Sequence, residues 1–439
     1  MEQVIKPRVR PSAKWTSFEG WNYNGMKERL ETVIASLNKE ALLSHAEAIK
    51  GQKLSMSENF SAGQYWACFE MVAEDGSLVI ARVRLPRHPN TPASVGEEEE
   101  NYAIMCEITT MNFVRQKNFP SVVVPNVYAY ERSGSQRAAA AGAAYMMLEG
   151  FYGNTLQDVA FDICNLPATV QEHIIAQWTM VQAQLATLQY SQIGSIAQIT
   201  QSGEPIIGKL STAAEEDLVP PGPFSTASEY FIAIGTAALH KAELEAQNKA
   251  PSSGSMQYDI LGAFVFLDIV QTTSLFTTPQ DHFPLNHMDI GTQNIIVDDE
   301  YKFLAIIDWE FAQAAPWQVN HYPMPFPILE SEGEIRAAID DPTHIAHKNV
   351  MKQHVARQLY CRKFREAEIL LKGEGLVEGT FSGVLESPAS IIYALFCRLG
   401  DFPLPDINYV REMVRLAFGV DDEGIDRYLC DLQSRMRLN

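Results

Sequence analysis

His287-Met288-Asp289-Ile290-Gly291-Thr292-Gln293-Asn294 is the stretch on which the fold turns, continued by Ile295-Ile296-Val297-Asp298 and later by Ile306-Ile307-Asp308-Trp309-Glu310. Gly291 sits in a loop that leads into Asn294 at the head of a short apolar run. The runs Ile295 to Val297 and Phe303 to Ile307 read as two strands joined by the turn Asp298-Asp299-Glu300. Folding that hairpin back sets Asn294 beside Asp308, so an amide oxygen and a carboxylate face one hard cation. Such oxygen donors suit Mg2+, which usually keeps substrate phosphates in its shell. Asp289 then faces the same space without being a metal ligand. It is placed to accept a proton from, or orient, a hydroxyl attacking a phosphoryl group. Asp308 follows the apolar run Leu304 to Ile307, where a buried carboxylate needs a cation or hydrogen bonds. His287 reads as a structural histidine and Asp298 as a turn residue of the hairpin.

Working outward, the first half of the chain changes period near residue 53. Met26, Leu30, Val33, Ile34, Leu37, Leu42 and Leu43 have helical spacing and predict a helix over 26–49, behind two aromatic-rich turns. Lys53 to Asn59, Trp66 to Ala73 and Leu78 to Leu85 are β-rich, with Glu74-Asp75-Gly76-Ser77 as a hairpin turn between the last two. Glu97 to Lys117 reads as a helix, and Val122 to Tyr130 and Ala143 to Glu149 as strands. Beyond Gly153 the chain is mainly helical: Thr155 to Cys164, Ala168 to Gln189, Ser225 to Asn248, Gln257 to Phe276, and most of Glu332 to Asn439, with breaks at Pro342, Gly373 to Gly383 and Phe402 to Pro405. Ala138 to Ala144 is a low-complexity tract, and a hairpin is expected at Ser202-Gly203. A small mixed sheet followed by a larger helical region implies two lobes, and clefts between lobes commonly bind small ligands.

Composition narrows the function. With 439 residues and 46% hydrophobic side chains the chain can bury a large core. Its 34 basic against 54 acidic residues give a formal charge of −20. That field repels phosphate backbones and anionic lipid, which argues against nucleic-acid and membrane partners. Six scattered cysteines without a C-x-x-C pair indicate neither a zinc site nor a disulfide framework. Met1 to Lys14 is basic with no apolar stretch behind it, unlike a secretory signal. The most apolar segment, Tyr258 to Phe276, is interrupted by Asp259, Asp268 and Gln271 and reads as a buried helix. A soluble, cytoplasmic protein is expected.

The H-x-D-x-x-x-x-N pattern, a following β-hairpin and its closing Asp are those of protein-kinase-like phosphotransferases. The chain resembles their aminoglycoside phosphotransferase and choline kinase branch, closest to the large set of such proteins in filamentous fungi. The residues that carry the likeness are Leu285-Asn286-His287-Met288-Asp289, Ile307-Asp308-Trp309-Glu310-Phe311, Pro316-Trp317, Tyr322-Pro323-Met324-Pro325-Phe326 and, upstream, Gly222-Pro223-Phe224-Ser225. The resemblance implies an α+β, two-lobed protein-kinase-like fold with a small β-rich N-lobe and a larger, mainly helical C-lobe. A helical extension would cover 1–50 and a nucleotide-binding N-lobe 51–150. The C-lobe, 151–439, would hold the catalytic loop, metal site and acceptor pocket. ATP would be the co-substrate and Mg2+ the cofactor.

The resemblance also implies a nucleotide site. A phosphate-covering loop falls at Phe60 to Tyr65, with Ser61 and Gly63. Arg82 takes the phosphate-binding place on the third strand, where a protein kinase has Lys, with Arg84 as second choice because both lie on one strand face. Glu107 matches the Glu-x-x-x-Met of the helix and pairs with Arg82, whereas Glu97 to Glu100 read as a solvated first turn. Adenine would meet the backbone of Glu149 and Phe151 at the hinge. The departures are Met288, where aminoglycoside kinases mostly show Gly, and Arg at the third-strand place. Neither removes a required group.

The reading that follows is transfer of the γ-phosphoryl of ATP to a hydroxyl of a small molecule. Glu310, Trp317, His321 and Tyr322 are the acceptor-side candidates, suited to a cationic or amino-bearing compound. Trp309, Trp317 and Tyr322 to Pro327 are read equally as packing. The rival from another class is a noncatalytic kinase-like binding protein, which the sparse glycine loop and Arg82 would favour. A protein kinase lacks support, because no Ala-Pro-Glu segment follows Asp308.

Overall fold

The computed structural model describes residues 10–13, 26–87, 91–92, 94–248, 255–277, 282–323, 326, 332–373, 381–400 and 406–436. The aromatic-rich turns before residue 26, the breaks over 374–380 and 402–405, and Met324, Pro325 and Pro327 lie outside the described residues. The chain divides into two compact units: Met1–Asp162 with Asp289–Glu310, and Ile163–Met288 with Phe311–Asn439. The expected division at residue 150 thus differs from the compact units in one consequential way. The stretch from Asp289 to Glu310 belongs with the first unit.

The first unit is built on a five-stranded antiparallel sheet, not a mixed one, in the order β1-β2-β3-β5-β4. Helices α1 (Met26–Ser36) and α2 (Lys39–Lys50) precede it. The strands are β1 (Leu54–Ala62), β2 (Trp66–Ala73), β3 (Leu78–Arg84), β4 (Val127–Glu131) and β5 (Tyr145–Gly150), and helix α3 (Glu97–Gln116) follows β3. The helix expected over 26–49 is two helices, because Asn38 turns out of the first and caps the second, its side chain accepting from the Ala41 amide at 3.2 Å. Leu30, Val33, Leu42 and Ala46 from these helices pack on Ala67, Phe69, Met71, Val79, Ala81 and Val83, one alternating face of β2 and β3. Burying each large apolar side chain is worth about 1.5–3 kcal/mol. Helices α1 and α2 are therefore part of this unit's core.

The strand expected over 122–130 begins only at Val127, since Pro125 has no amide to donate to a ladder. The preceding carbonyls are used elsewhere: that of Val123 accepts from the Ile306 amide at 2.8 Å and that of Val124 from Arg115 at 2.9 Å. The alanine tract begins within helix α4 (Gln136–Ala141), which is capped by Ser135 and ended by Gly142 at φ +91°. Instead of a helix from Thr155 to Cys164 there is a short strand β6 (Asn154–Thr155), one turn of helix α5 (Leu156–Val159) and a 3-10 turn at Ile163–Asn165. Strand β6 pairs with Ile295–Val297, which pairs in turn with Phe303–Ile306, so the expected hairpin is present. Gly153 permits this contact, because a Cβ there would lie 2.4 Å from the Val297 carbonyl oxygen.

Within α2, His45 is buried between Tyr145 and Arg137. Arg137 can only donate, so His45 Nε2 accepts from it at 2.8 Å and Nδ1 donates to the Tyr145 hydroxyl at 2.7 Å. Burial, with the Arg137 charge adding to it, holds the imidazole below its ordinary 6.5. The ring is neutral when folded, while the unfolded chain takes up a proton below about pH 6.5. Stability should therefore fall as pH drops below that value. In urea unfolding at pH 7.5 and 5.5, wild type is expected to lose more stability on acidification than His45→Gln, and equal losses would contradict this.

The second unit is mainly helical: α6 (Ala168–Leu185), α7 (Ala227–Asn248), α8 (Ser255–Thr272), α9 (Glu332–Asp340), α10 (His347–Gly373), α11 (Phe381–Val384), α12 (Pro388–Phe396), α13 (Asp406–Phe418) and α14 (Asp422–Met436). Its core gathers Phe231, Val265, Phe266, Ile269, Phe276, Ile392 and Phe396, with Phe266 stacked on Phe396 at 3.9 Å between centroids. The strand Phe283–Asn286 lies between Gln189–Tyr190 and Gln313–Ala314. The hairpin expected at Ser202-Gly203 is formed by Ile196–Ile199 and Pro205–Ile207. The apolar segment around Val265 is a buried helix, as expected. Asp268 within it accepts from the Tyr428 hydroxyl at 2.6 Å and from Arg435 at 2.9 Å. No helix among the described residues is long and apolar enough to cross a membrane. The fold is α+β, with one five-stranded antiparallel sheet in the first unit and a mainly helical second unit.

Candidate active site

The loop before the hairpin places its chemistry by unusual backbone. Met288 has φ +66° and Asp308, at the hairpin's far end, φ +65°. Non-glycine residues avoid this left-handed region at about 1–3 kcal/mol each, and such strain gathers at functional sites. Thr292–Asn294 form a 3-10 turn that points the Asn294 side chain back over the loop. Its Nδ2 donates both to the Asp289 carbonyl at 2.7 Å and to Asp289 Oδ2 at 2.8 Å. Gln293 Nε2 donates to Asp289 Oδ1 at 3.0 Å. Gly291 makes room for it, since a Cβ there would lie 2.1 Å from Gln293 Oε1. The Asp289 carboxylate is thus held from both sides. The Ile307 amide donates to the Asn294 carbonyl at 3.0 Å, tying the loop to the approach to Asp308.

Across from this loop, Arg82 of β3 extends between two carboxylates. Its Nη1 donates to Glu107 Oε1 of α3 at 2.7 Å and its Nη2 to Asp308 Oδ1 at 3.0 Å. Glu107 is 1% exposed and Asp308 34%. The Arg82 guanidinium also lies 4.9 Å from the centre of the Trp66 ring. Arg84, its rival in sequence, stacks over Tyr65 at 4.8 Å and Trp66 at 5.1 Å. Both arginines lie against Trp66, and the geometry separates them by the carboxylates: Arg82 bonds Glu107 and Asp308, whereas Arg84 stacks on Tyr65 as well as Trp66.

The charges are coupled. Burial opposes the Arg82 charge, but Glu107 and Asp308 outweigh it and hold the guanidinium's proton more tightly than usual. Burial pushes Glu107 up against the pull of Arg82. Burial and the neighbouring Asp308 charge raise Asp289, against the hydrogen bonds from Asn294 and Gln293. Glu310 is driven well above the carboxylate range by burial, then by Asp308 and Glu107. Cys68, opposite Arg82 in the ladder, is pushed up to about 11 by burial. Among the described residues no group of three or more His, Cys, Asp or Glu is gathered to hold a metal. A cation here would rest on Asn294 and Asp308. The donor set fits: both Asn294 amide bonds run to Asp289, which leaves its Oδ1 as acceptor, and Arg82 occupies only Oδ1 of Asp308.

The other expected site residues scatter. Ser61 is not in a loop but in β1, paired with Cys68, and only Gly63 to Tyr65 form the turn, where the Gly63 amide donates to the Trp66 carbonyl at 2.7 Å. Glu149 is the penultimate residue of β5, with a side chain committed to Arg115 and the Asn126 amide, each at 3.0 Å. Phe151 follows β5, its carbonyl accepting from the Gly153 amide at 3.0 Å. Glu310 belongs with the first unit, whereas Trp317, His321 and Tyr322 lie in the second. Tyr322 is core: it is buried, its hydroxyl donates to Glu386 at 2.9 Å, and its ring meets Tyr360 edge-on. Trp317 packs edge-on against Phe381 and His321 Nδ1 meets the Val319 carbonyl at 3.0 Å. Trp309 is fully buried with Nε1 donating to the Ile306 carbonyl at 2.9 Å, which is packing. Two site residues escaped the sequence reading. Trp66 faces Arg84 across the ladder, which strand alternation could have signalled. Gln293 had no signal.

No protein-family model matches the chain, and no curated protein matches it in sequence. Among solved structures it is similar to a candidate fructosamine-3-kinase from Thermobifida fusca YX-ER1, at 13% identity and TM-score 0.41, over 86% of this chain and 96% of that one. It is similar also to a macrolide 2'-phosphotransferase from Brachybacterium faecium, at 13% identity and TM-score 0.38, over 90% and 96%. An amicoumacin kinase in complex with AMP-PNP and Ca2+ matches at 12% identity and TM-score 0.38, over 90% and 96%. Likeness at this level leaves the functional reading to the site's own geometry.

Proposed function

We propose that the protein transfers the γ-phosphoryl group of ATP to a hydroxyl of a small molecule. The observation that carries this reading is one constellation within one compact unit: Arg82 between Glu107 and Asp308, with Asp289 gripped by Asn294. Asp289 takes the proton of the acceptor hydroxyl or aligns it for attack. Its raised proton affinity and fixed direction suit that role. Arg82 donates to phosphate oxygens as a planar fork, and Glu107 orients it. Asn294 Oδ1 and the second oxygen of Asp308 would hold Mg2+, which when bound offsets the charge of the phosphates. The chain's formal charge of −20 favours a cationic or amino-bearing acceptor. Adenine contacts at the Glu149 and Phe151 backbone, phosphate contacts at the Ser61 to Gly63 hairpin and a cytoplasmic setting complete the reading.

The test is a thermal-shift titration with ATP, with and without Mg2+, on wild type and Asp308→Ala. A ligand at 100 times its Kd stabilises by about 2.7 kcal/mol, so wild type should show a magnesium-dependent rise in Tm that the variant loses. No rise at millimolar nucleotide would overturn the reading. A rise without any ATP turnover would support the noncatalytic binding protein instead.

A further inference from the structure

The sheet face that carries Arg82 is partly covered by residues Pro11–Ala13, a 3-10 turn that packs on β1. Directly opposed residues of an antiparallel ladder project to the same face. Cys68 opposes Arg82, and Glu70 opposes Ile80, which Leu148 flanks on its other side. Strand alternation therefore sets Glu70, Ile80 and Arg82 on one face, away from the α1–α2 core. Glu70 is 0% exposed. Its carboxylate accepts from the Ser12 amide at 2.9 Å and from the Ser12 hydroxyl at 3.0 Å, and Pro11 is buried beside it.

A nucleotide with adenine at Glu149 and phosphates at Arg82 must run along β3 past Ile80, because Val79 pairs with Glu149 and Arg82 with Met146. Neighbouring strands are about 4.8 Å apart. Glu70 and the turn bonded to it therefore lie within a side chain's length of that path.

We propose that the Pro11–Ala13 turn is an autoinhibitory latch: Ser12 bonded to Glu70 holds it on the nucleotide face, and full nucleotide binding requires its release. This rests on the nucleotide reading above and adds its regulation. Both bonds end on a desolvated carboxylate and are of the stronger, charge-assisted kind. Apparent affinity is the intrinsic affinity scaled by the fraction of chains with the latch open.

The test uses the full chain, titrated with Mg2+ and AMP-PNP by calorimetry. Trypsin cleavage after Lys14 gives an independent measure of release. Ser12→Glu sets a like charge against Glu70 and should lower Kd by about 3- to 10-fold. Ser12→Ala keeps the amide donor and should lower it less. Cleavage should speed up in Ser12→Glu without nucleotide, and in wild type when nucleotide is added. Faster cleavage of Ser12→Glu with an unchanged Kd would overturn the latch and leave the turn a structural brace, with the nucleotide site intact. If Ser12→Glu fails to fold, Glu70→Gln weakens the same two bonds and gives the same readouts. No binding to any chain, with Arg82→Ala no different from wild type, would remove the nucleotide reading and the latch together.

Discussion

Asp289→Asn should cut turnover by about 10²- to 10⁴-fold, the usual contribution of a positioned acid–base group, while nucleotide affinity changes by less than about twofold. The substitution preserves shape but removes the proton acceptor. Asn294 Nδ2 can still donate to the new amide's oxygen, as it does to Oδ2. Gln293 Nε2 then meets an NH2 group in place of Oδ1 and must turn its own amide over. The loop should therefore survive while the proposed base is lost. ATP hydrolysis with water as acceptor is the assay, since it needs no knowledge of the natural alcohol. A variant that hydrolyses ATP at the wild-type rate would remove Asp289 from the mechanism. Equal losses in affinity and turnover would recast it as a binding residue.

The second large effect is on stability. Glu107→Leu should destabilise the protein by about 3–5 kcal/mol, the cost of leaving one member of a buried ion pair without its partner. Arg82 would keep only its bond to Asp308, on the more exposed side. Adding Arg82→Met should recover most of that loss, because a well-packed apolar pair commonly replaces a buried ionic one at little cost. The double variant should not recover magnesium-dependent nucleotide binding, since the guanidinium fork proposed to hold the phosphates is gone. Denaturant midpoints and the ATP thermal shift separate these outcomes. A Glu107→Leu chain as stable as wild type would mean that the Arg82–Glu107 bond contributes little to holding α3 on the sheet.

What the sequence made legible follows how local the cause is. The hairpin after Asn294 could be read because two short apolar runs flank an Asp-Asp-Glu turn. The strands Trp66–Ala73 and Leu78–Arg84 could be read because their alternation survives in one window. The pairing of Arg82 with Glu107 came from resemblance, and only the structure separates Arg82 from Arg84, since both share a strand face. Losses came where a distant partner decides. Val123 and Val124 look like strand but spend their carbonyls on the chain near Asp308 and on Arg115. Helix propensity did not show the break at Asn38, whose capping role depends on the turn it makes. Tyr322 and Trp309 read equally as ligand contacts or core, and their enclosure decides for core. Gln293 reaches Asp289 only because Gly291 has no side chain, a relation that neither residue shows alone.

The left-handed backbone at Met288 and Asp308 also bears on the order in which the molecule assembles. An isolated chain disfavours that conformation by roughly 1–2 kcal/mol per residue, so neither bend persists without its surroundings. The sheet and cores form from preferences their own segments already hold. The loop that carries Asp289 and the corner that carries Asp308 are dependants of that scaffold. They are therefore expected to settle after it does and to be the first parts to relax when it loosens. On gentle heating, the capacity for chemistry should therefore fade before the fold itself is lost.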